Sequence, residues 1–220
     1  MKQLLLDLSP GQPTLANFVQ GSNSEALQAL KALAGKGSRE KMIYLWGEAG
    51  CGKSHLLMAC CGESGPDSLY VACRKDTRFE FEKDFVAADD VGKLDEEGQV
   101  SLFHLCNRLR ERGGVLLASG SAPPSAMKLR SDLSTRLAWG LVYQLHSLDD
   151  EEKREALKAH AGMLGFEISV EVVNYLMHHV RRDLPALVEL IDALDRDSRE
   201  CKRPVTIPLL KEIIERMKCA

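Results

Sequence analysis

The sequence contains no C-x-x-C pair, and its seven cysteines, at 51, 60, 61, 73, 106, 201 and 219, are an odd number. Both features argue against a disulfide framework and against a structural zinc site, so all seven are read as free thiols of a reducing compartment. An excess of positive charge is also missing: 29 Lys and Arg stand against 32 Asp and Glu, a formal charge of -3. That balance leaves no global electrostatic footprint for nucleic acid or an anionic membrane. No stretch approaches the roughly 18 uncharged apolar residues of a membrane span. The run Leu4 to Leu6 is closed by Asp7, far short of a signal-peptide core. Repeats and low-complexity tracts are absent as well. A soluble, cytoplasmic protein with no membrane partner is expected. The 220 residues, 45% hydrophobic and 28% charged, suffice for one large or two small domains and exclude a disordered chain.

Five short buried-type runs organise the first two thirds: Met42 to Trp46, Ser68 to Ala72, Asp84 to Ala88, Val115 to Ser119 and Leu141 to Leu145. Most are separated by helix-length segments, a rhythm that predicts an α/β fold with a five-stranded parallel sheet and helices on both faces. Between the third and fourth runs, Glu96 to Arg112 places Val100, Phe103, Leu105 and Leu109 among charges and then stops at Gly113-Gly114, as an amphipathic crossover helix would. From Ser147 the strand-like runs cease. Ser147 with Asp150 three positions on reads as a capping box opening a helix through about Leu164, with Gly162 and Gly165 near its end. Further helices are expected at about Val170 to Val180, Leu184 to Arg199 and Ile207 to Lys218, the last capped by Thr206 with Pro208 in its first turn. The expected divisions are 1–11, 12–147 and 148–220.

Gly47-Glu48-Ala49-Gly50-Cys51-Gly52-Lys53-Ser54 matches G-x-x-x-x-G-K-[ST] without a mismatch, after an apolar run and before the helical run His55 to Cys60. Its glycines let the backbone turn tightly with N–H groups inward, and the helix start adds positive charge where phosphates would sit. Lys53 is expected to reach the β- and γ-phosphates and Ser54 to ligate Mg2+. A second carboxylate for the metal is expected at the end of an apolar strand, and Phe85-Val86-Ala87-Ala88-Asp89-Asp90 supplies it. Asp89 is assigned to the metal shell, and Asp90 to polarising the attacking water. Arg136 and Arg182 are candidate cations for the charge that spreads over a transferring phosphoryl group.

Taken together, these motifs resemble the AAA+ ATPase domain of the bacterial replication initiator DnaA. The resemblance rests on the P-loop, Asp89-Asp90, Ser131-Asp132-Leu133 with Arg136-Leu137 and Trp139-Gly140, Arg182-Asp183-Leu184 and the early Thr14-Leu15-Ala16-Asn17-Phe18-Val19. It covers the chain from about residue 12 to 218. It implies an AAA+ α/β nucleotide-binding domain over 12–147 and a helical lid over 148–220. It also implies bound ADP or ATP with Mg2+, the ADP form being the competent one, held by residues 47–54 and His55. Phe18 and Val19 would lie against the adenine, with Asn23 matching an Asn shortly after them. Arg136 would be an arginine finger reaching into a neighbouring subunit's nucleotide, and Arg182 the sensor tying the lid to the phosphates.

The segment Met1 to Leu8 resembles the Q-L-x-L-x-[LF] peptide that docks on the bacterial β sliding clamp, with Gln3 supplying amide hydrogen bonds and Leu4, Leu6 and Leu8 filling apolar pockets. The competing reading is an N-terminal strand or leucine cluster packed on its own domain. The initiator's helix-turn-helix and N-terminal interaction domains have no counterpart in the sequence. The combination resembles the clamp-bound regulatory inactivators within the DnaA branch. The resemblance implies that the β sliding clamp and DnaA are the partners, that DNA is met mainly through the clamp, and that a homo-oligomer is open. An autonomous ATPase of helicase-loader type is the alternative. A nucleic-acid module is disfavoured by the 12 Lys and Arg against 15 Asp and Glu from residue 148 onward. Two departures from the family point to weak hydrolysis by the chain itself: Ser121 stands where the sensor residue after the fourth strand is usually Asp or Asn, and Asp90 stands in place of Glu. His178-His179 and Cys60-Cys61 are read as structural, the cysteines as core filler.

Overall fold

The computed structural model of the chain describes residues 13–35, 39–180, 184–201 and 203–219. Five strands form one parallel sheet: β1 (Met42–Trp46), β2 (Ser68–Ala72), β3 (Phe85–Asp89), β4 (Val115–Gly120) and β5 (Leu141–Gln144). They lie in the order β2-β3-β4-β1-β5, so the chain crosses over between non-adjacent strands and β1 sits inside the sheet. Register pairs Ile43 with Leu117 and with Leu141, and Val86 with Leu116 and with Leu69. The expected α/β fold with a five-stranded parallel sheet is the one found. Strand bounds differ by a residue: β3 begins at Phe85, not Asp84, and extends to Asp89, which pairs with Ala72.

Alternation along the buried strands sends side chains to two cores. Ile43, Leu45, Ala87 and Leu117 face one side, where they meet α1 (Ser24–Ala34) through Leu27 and Leu30 and α2 (Lys53–Ser64) through Leu56, Leu57 and Cys60. Tyr44, Val86, Ala88, Leu116 and Ala118 face the other. There they meet Leu102, Leu105, Cys106 and Leu109 of α3 (Glu96–Arg112) and Leu133 and Leu137 of α4 (Ser131–Leu137). Each fully buried leucine of these layers is worth about 1.5–3 kcal/mol relative to exposure, which is why a sheet of such short strands holds. α3 spans the expected residues; Asp95 caps it by accepting from the Gly98 N–H, and Gly113 ends it at φ 71. α1 and α4 were not anticipated. α4 has only seven residues, too few for a 3.6-residue period to show in the sequence.

Residues from Leu148 form a second compact unit, separate from Pro13–Ser147. It contains α5 (Asp150–Leu164), α6 (Val170–His179), α7 (Leu184–Cys201) and α8 (Ile207–Cys219). Its core includes Leu157, Val173, Leu176, Leu187, Ile191, Leu194 and Leu210. The capping box of α5 lies two residues later than expected. Asp149 accepts from the Glu152 N–H at 2.7 Å, and Glu152 accepts from the Asp149 N–H at 2.8 Å. Ser147 with Asp150 fails because an Asp side chain is one methylene shorter than the Glu or Gln that reaches back in such a box. The Thr206 carbonyl accepts the Leu210 N–H at 3.0 Å, placing Thr206 at the start of α8. His178 and His179 are exposed, and each ring lies within hydrogen-bond distance of a carbonyl one turn back. No helix among the described residues is long and apolar enough to cross a membrane.

Candidate nucleotide site

The loop from Gly47 to Gly52 joins the carboxyl end of β1 to α2, whose first turn carries no acidic residue. Left-handed backbone at Gly52 (φ 97) turns the chain into the helix, and a Cβ there would come within 2.6 Å of the Phe18 ring. At Gly47 a Cβ would come within 2.3 Å of the Leu145 carbonyl oxygen. Both positions therefore require glycine, and the result is a backbone cradle at a helix N-terminus that suits phosphate. Lys53 is 8% exposed; its ammonium donates to the carbonyls of Gly47 at 2.8 Å and Glu48 at 2.7 Å, with the Cys51 sulfur 3.7 Å away. Glu48, Ala49, Gly50 and Ser54 are exposed around it, and Cys51 is buried.

Asp89 ends β3 and is 5% exposed. Ser119 Oγ donates to its Oδ1, and the Tyr70 hydroxyl donates to its Oδ2 at 2.7 Å. Ser119 in turn accepts the Asp90 N–H at 2.9 Å. Burial first, and then the Asp89 carboxylate, push the Tyr70 phenol above its ordinary pKa, while the Ser54 hydroxyl acts on it as an opposing hydrogen-bonding neighbour. Asp90 is the one non-glycine residue with positive φ (59) among those described, and its side chain pairs with Lys93 at 2.7 Å. Burial pushes the thiols of Cys60, Cys73 and Cys106 up to about 12 and that of Cys61 to about 11. Thiols of that kind are inert at neutral pH, and Cys51, Cys60, Cys61, Cys73 and Cys106 are free. The described residues hold no group of three or more His, Cys, Asp or Glu arranged for a metal ion, so any Mg2+ here would rely on Ser54, Asp89 and phosphate oxygens.

The segment before α1 forms the wall beside the cradle. Thr14 and Asn17 exchange hydrogen bonds between backbone N–H groups and each other's side-chain oxygens, and the Leu15 N–H donates to Glu63 of α2. This clamps Phe18, 8% exposed, against Gly52 and 5.6 Å from the His55 ring. Val19 follows, half-buried. His55 lies 3.0 Å from the Thr14 carbonyl, and burial lowers its pKa. Asn23 donates to the His146 carbonyl at 2.9 Å and accepts the His146 N–H at 2.8 Å. Its amide is thus a tie between the α1 start and the chain beyond β5.

Arg136 lies in the last turn of α4. Its guanidinium stacks on the Trp139 ring at 3.6 Å and lies 5.3 Å from the Phe103 ring, and Arg110 covers Trp139 at 4.4 Å. Its Nε is buried without a hydrogen-bond partner among the described residues. Phe103 belongs to the α3 and α4 core, on the sheet face opposite α2.

Comparison with known proteins agrees with this geometry. The family model described as the Hda lid domain matches residues 150–214. A Haemophilus influenzae protein is 34% identical over 215 residues, covering 91% of this chain and 93% of that one. Domain III of the Thermotoga maritima replication initiation protein DnaA matches with a TM-score of 0.74 at 22% identity, over 93% of this chain and 96% of that one. The chain belongs to the Hda/DnaA-like AAA+ proteins. AMPPCP-bound DnaA from Aquifex aeolicus matches with a TM-score of 0.70 at 25% identity, over 88% of this chain and 68% of that one. In this Hda/DnaA-like protein the Hda lid match falls within the helical unit that begins at Leu148.

The fold brings the P-loop residues, Phe18, Val19 and His55 together at one end of the sheet, with Asp89 on a neighbouring strand end. Arg136 is held apart from them. Arg182, Gln3, Leu4, Leu6 and Leu8 lie outside the described residues. Two contacts escaped the sequence reading. Ser119, not Ser121, touches Asp89, and Ser121 is exposed. Tyr70 holds the other oxygen of Asp89 from the edge strand.

Proposed function

We propose that the chain binds ADP or ATP with Mg2+ in its P-loop and acts, tethered to the DNA-loaded β sliding clamp, by donating Arg136 to ATP held by DnaA. The observation that carries this reading is the placement of Arg136. It has no carboxylate partner among the described residues, is braced by Trp139, and belongs to the sheet face opposite the helix that opens its own phosphate cradle. An arginine so placed suits an anion held by another chain.

The residues fit a nucleotide in the chain itself. The Gly47 to Gly52 cradle and the α2 N-terminus would take phosphate oxygens, and the Lys53 ammonium would exchange loop carbonyls for them. Mg2+ would supply, when bound, positive charge to offset the phosphates; Ser54 and Asp89 are the groups that would hold it. Phe18 and Val19 would supply an apolar wall to the base. Asp90 is neutralised by Lys93, which favours slow hydrolysis by the chain itself. On DnaA-bound ATP, the planar fork of Arg136 would meet the charge that develops on the phosphoryl oxygens as the bond breaks.

The test measures hydrolysis of DnaA-bound ATP with and without this chain and with and without DNA-loaded clamp. Stimulation only when both are present is the expected result. Hydrolysis by the chain alone, unaffected by DnaA, would instead make it an autonomous ATPase. Replacing Gln3, Leu4 and Leu6 by Ala is expected to abolish clamp pull-down with the melting temperature unchanged. Clamp binding retained after deletion of residues 1–8 would return that segment to a packed strand.

A further inference from the structure

Tyr70 sits in the middle of the edge strand β2, paired with Ala87. Its ring packs against the core layer that contains α2, so its position is set by that helix as much as by the sheet. It donates to Asp89 Oδ2 at 2.7 Å, and Ser54, in the first turn of α2, is a neighbour whose side chain acts on the phenol in the opposite sense. These are the two protein groups assigned above to Mg2+. Asp89 is buried, and Ser119 already holds its other oxygen. Each carboxylate oxygen thus carries a strong donor, and the donor that neighbours Ser54 is Tyr70. A phenol hydrogen bond to a buried carboxylate stabilises its negative charge much as a cation does, so a metal held by Ser54 and Asp89 would meet this donor.

We infer that Tyr70 is a positioning residue that holds Asp89 through its phenol and competes with Mg2+ for that carboxylate, so that nucleotide binding by this chain depends only weakly on the metal. The inference rests on the proposed metal site of Ser54 and Asp89. If the phenol instead supported the metal, its removal would weaken the metal's contribution, and the two cases have opposite signs.

The experiment measures ADP affinity by calorimetry in Mg2+ and in EDTA, and takes the ratio of the two dissociation constants. Tyr70→Phe, checked by its melting curve, is expected to raise the gain from Mg2+ at least threefold over the parent protein. Ser119→Ala, which removes the donor to the other oxygen and leaves the Tyr70 bond to Asp89, is expected to keep the ratio within twofold. Ser54→Ala is expected to bring the ratio towards one. A ratio in Tyr70→Phe that is unchanged or smaller, with Ser54→Ala still abolishing the gain, overturns the role of Tyr70 and leaves the metal site standing. An unchanged ratio in Ser54→Ala removes the metal site, and this inference with it. A rise in Ser119→Ala equal to that in Tyr70→Phe also overturns it, since any lost donor would then suffice. Independently of any variant, adding Mg2+ to the ADP-saturated parent protein is expected to shift the Tyr70 ring resonances in a ring-labelled NMR sample. No shift overturns the competition.

Discussion

The phosphate cradle and the Arg136 patch belong to the same α/β unit but hold their polar groups in opposite ways. In the cradle Lys53, Asp89 and Asp90 already have partners. Lys53 is bonded to two carbonyls, both oxygens of Asp89 accept hydrogen bonds, and Asp90 is paired with Lys93. At the patch, the guanidinium of Arg136 is held by aromatic rings rather than by a counter-ion, and its Nε has no acceptor among the described residues. Stacking fixes the plane of a guanidinium without consuming its donors. A site that holds its own ligand can exchange internal bonds for it, whereas a group offered to another molecule must be rigid and unpaired. On the proposed reading, charges of the first kind would serve this chain and those of the second a partner.

The sharpest way to break the comparison is Arg136→Ala. Arginines supplied in trans to phosphoryl transfer are worth about 10³ to 10⁵ in rate in well-studied GTPases, against at most about 1 kcal/mol for a surface ion pair. The expected outcome is loss of most stimulation of DnaA-bound ATP hydrolysis, with ADP affinity of the chain unchanged by calorimetry. Arg136→Lys is expected to rescue little, because a point charge cannot reproduce the fork. Full stimulation by Arg136→Ala would place both charges in the same class and end the finger reading.

Lys53→Ala is the reciprocal variant. Loss of the main point charge from a site otherwise made of backbone N–H groups is expected to weaken ADP or ATP binding by about tenfold or more, and to remove the stabilisation that nucleotide adds to thermal melting. Unchanged affinity by calorimetry would remove the P-loop assignment.

Smaller effects come from groups that support the two units. Asp149→Ala removes the cap of α5 and is expected to cost about 1 kcal/mol in a denaturant titration of the lid unit, with nucleotide affinity retained. His55 gives a pH dependence of the cradle wall. Burial lowers its pKa in the folded protein, so the unfolded chain binds the proton first, near the usual value of about 6.5. Stability of the α/β unit is therefore expected to fall as pH drops below that point toward the lower folded value, and His55→Gln to flatten the decline. An identical slope in the variant would assign the decline to other groups.

The strands, the crossover helix and the P-loop were legible because each is a local pattern. Apolar runs of strand length end where turn residues stand, and the glycines of Gly47 to Gly52 meet the left-handed backbone they permit. Asp89 was legible for the same reason, as the polar end of Phe85-Val86-Ala87-Ala88. The partners of Asp89 were not. Tyr70 is 19 positions away and Ser119 is 30, and nothing in the spacing of the three distinguishes Ser119 from Ser121 or Tyr70 from Leu69. The α5 cap was misplaced because Ser147 and Asp149 are both capping residues with an acidic residue three positions on, and only side-chain reach separates them.

The sequence by itself determined which segments become the strands, α3 and the lid helices, where a phosphate-binding turn must form, and which residue types line it, since all of these follow from periodicity and backbone permission along neighbouring residues. Strand order and register decided the rest. Placing β3 between β2 and β4 brings a phenol and a hydroxyl onto the two oxygens of one buried carboxylate. Packing α4 on α3, across the sheet from α2, turns Arg136 away from its own P-loop and onto Trp139. Contacts of the first kind depend on how distant strands align, and a one-residue slip in register would send the side chains of Tyr70, Asp89 or Ser119 to the opposite face, whereas the second depends on how helices pack on the sheet.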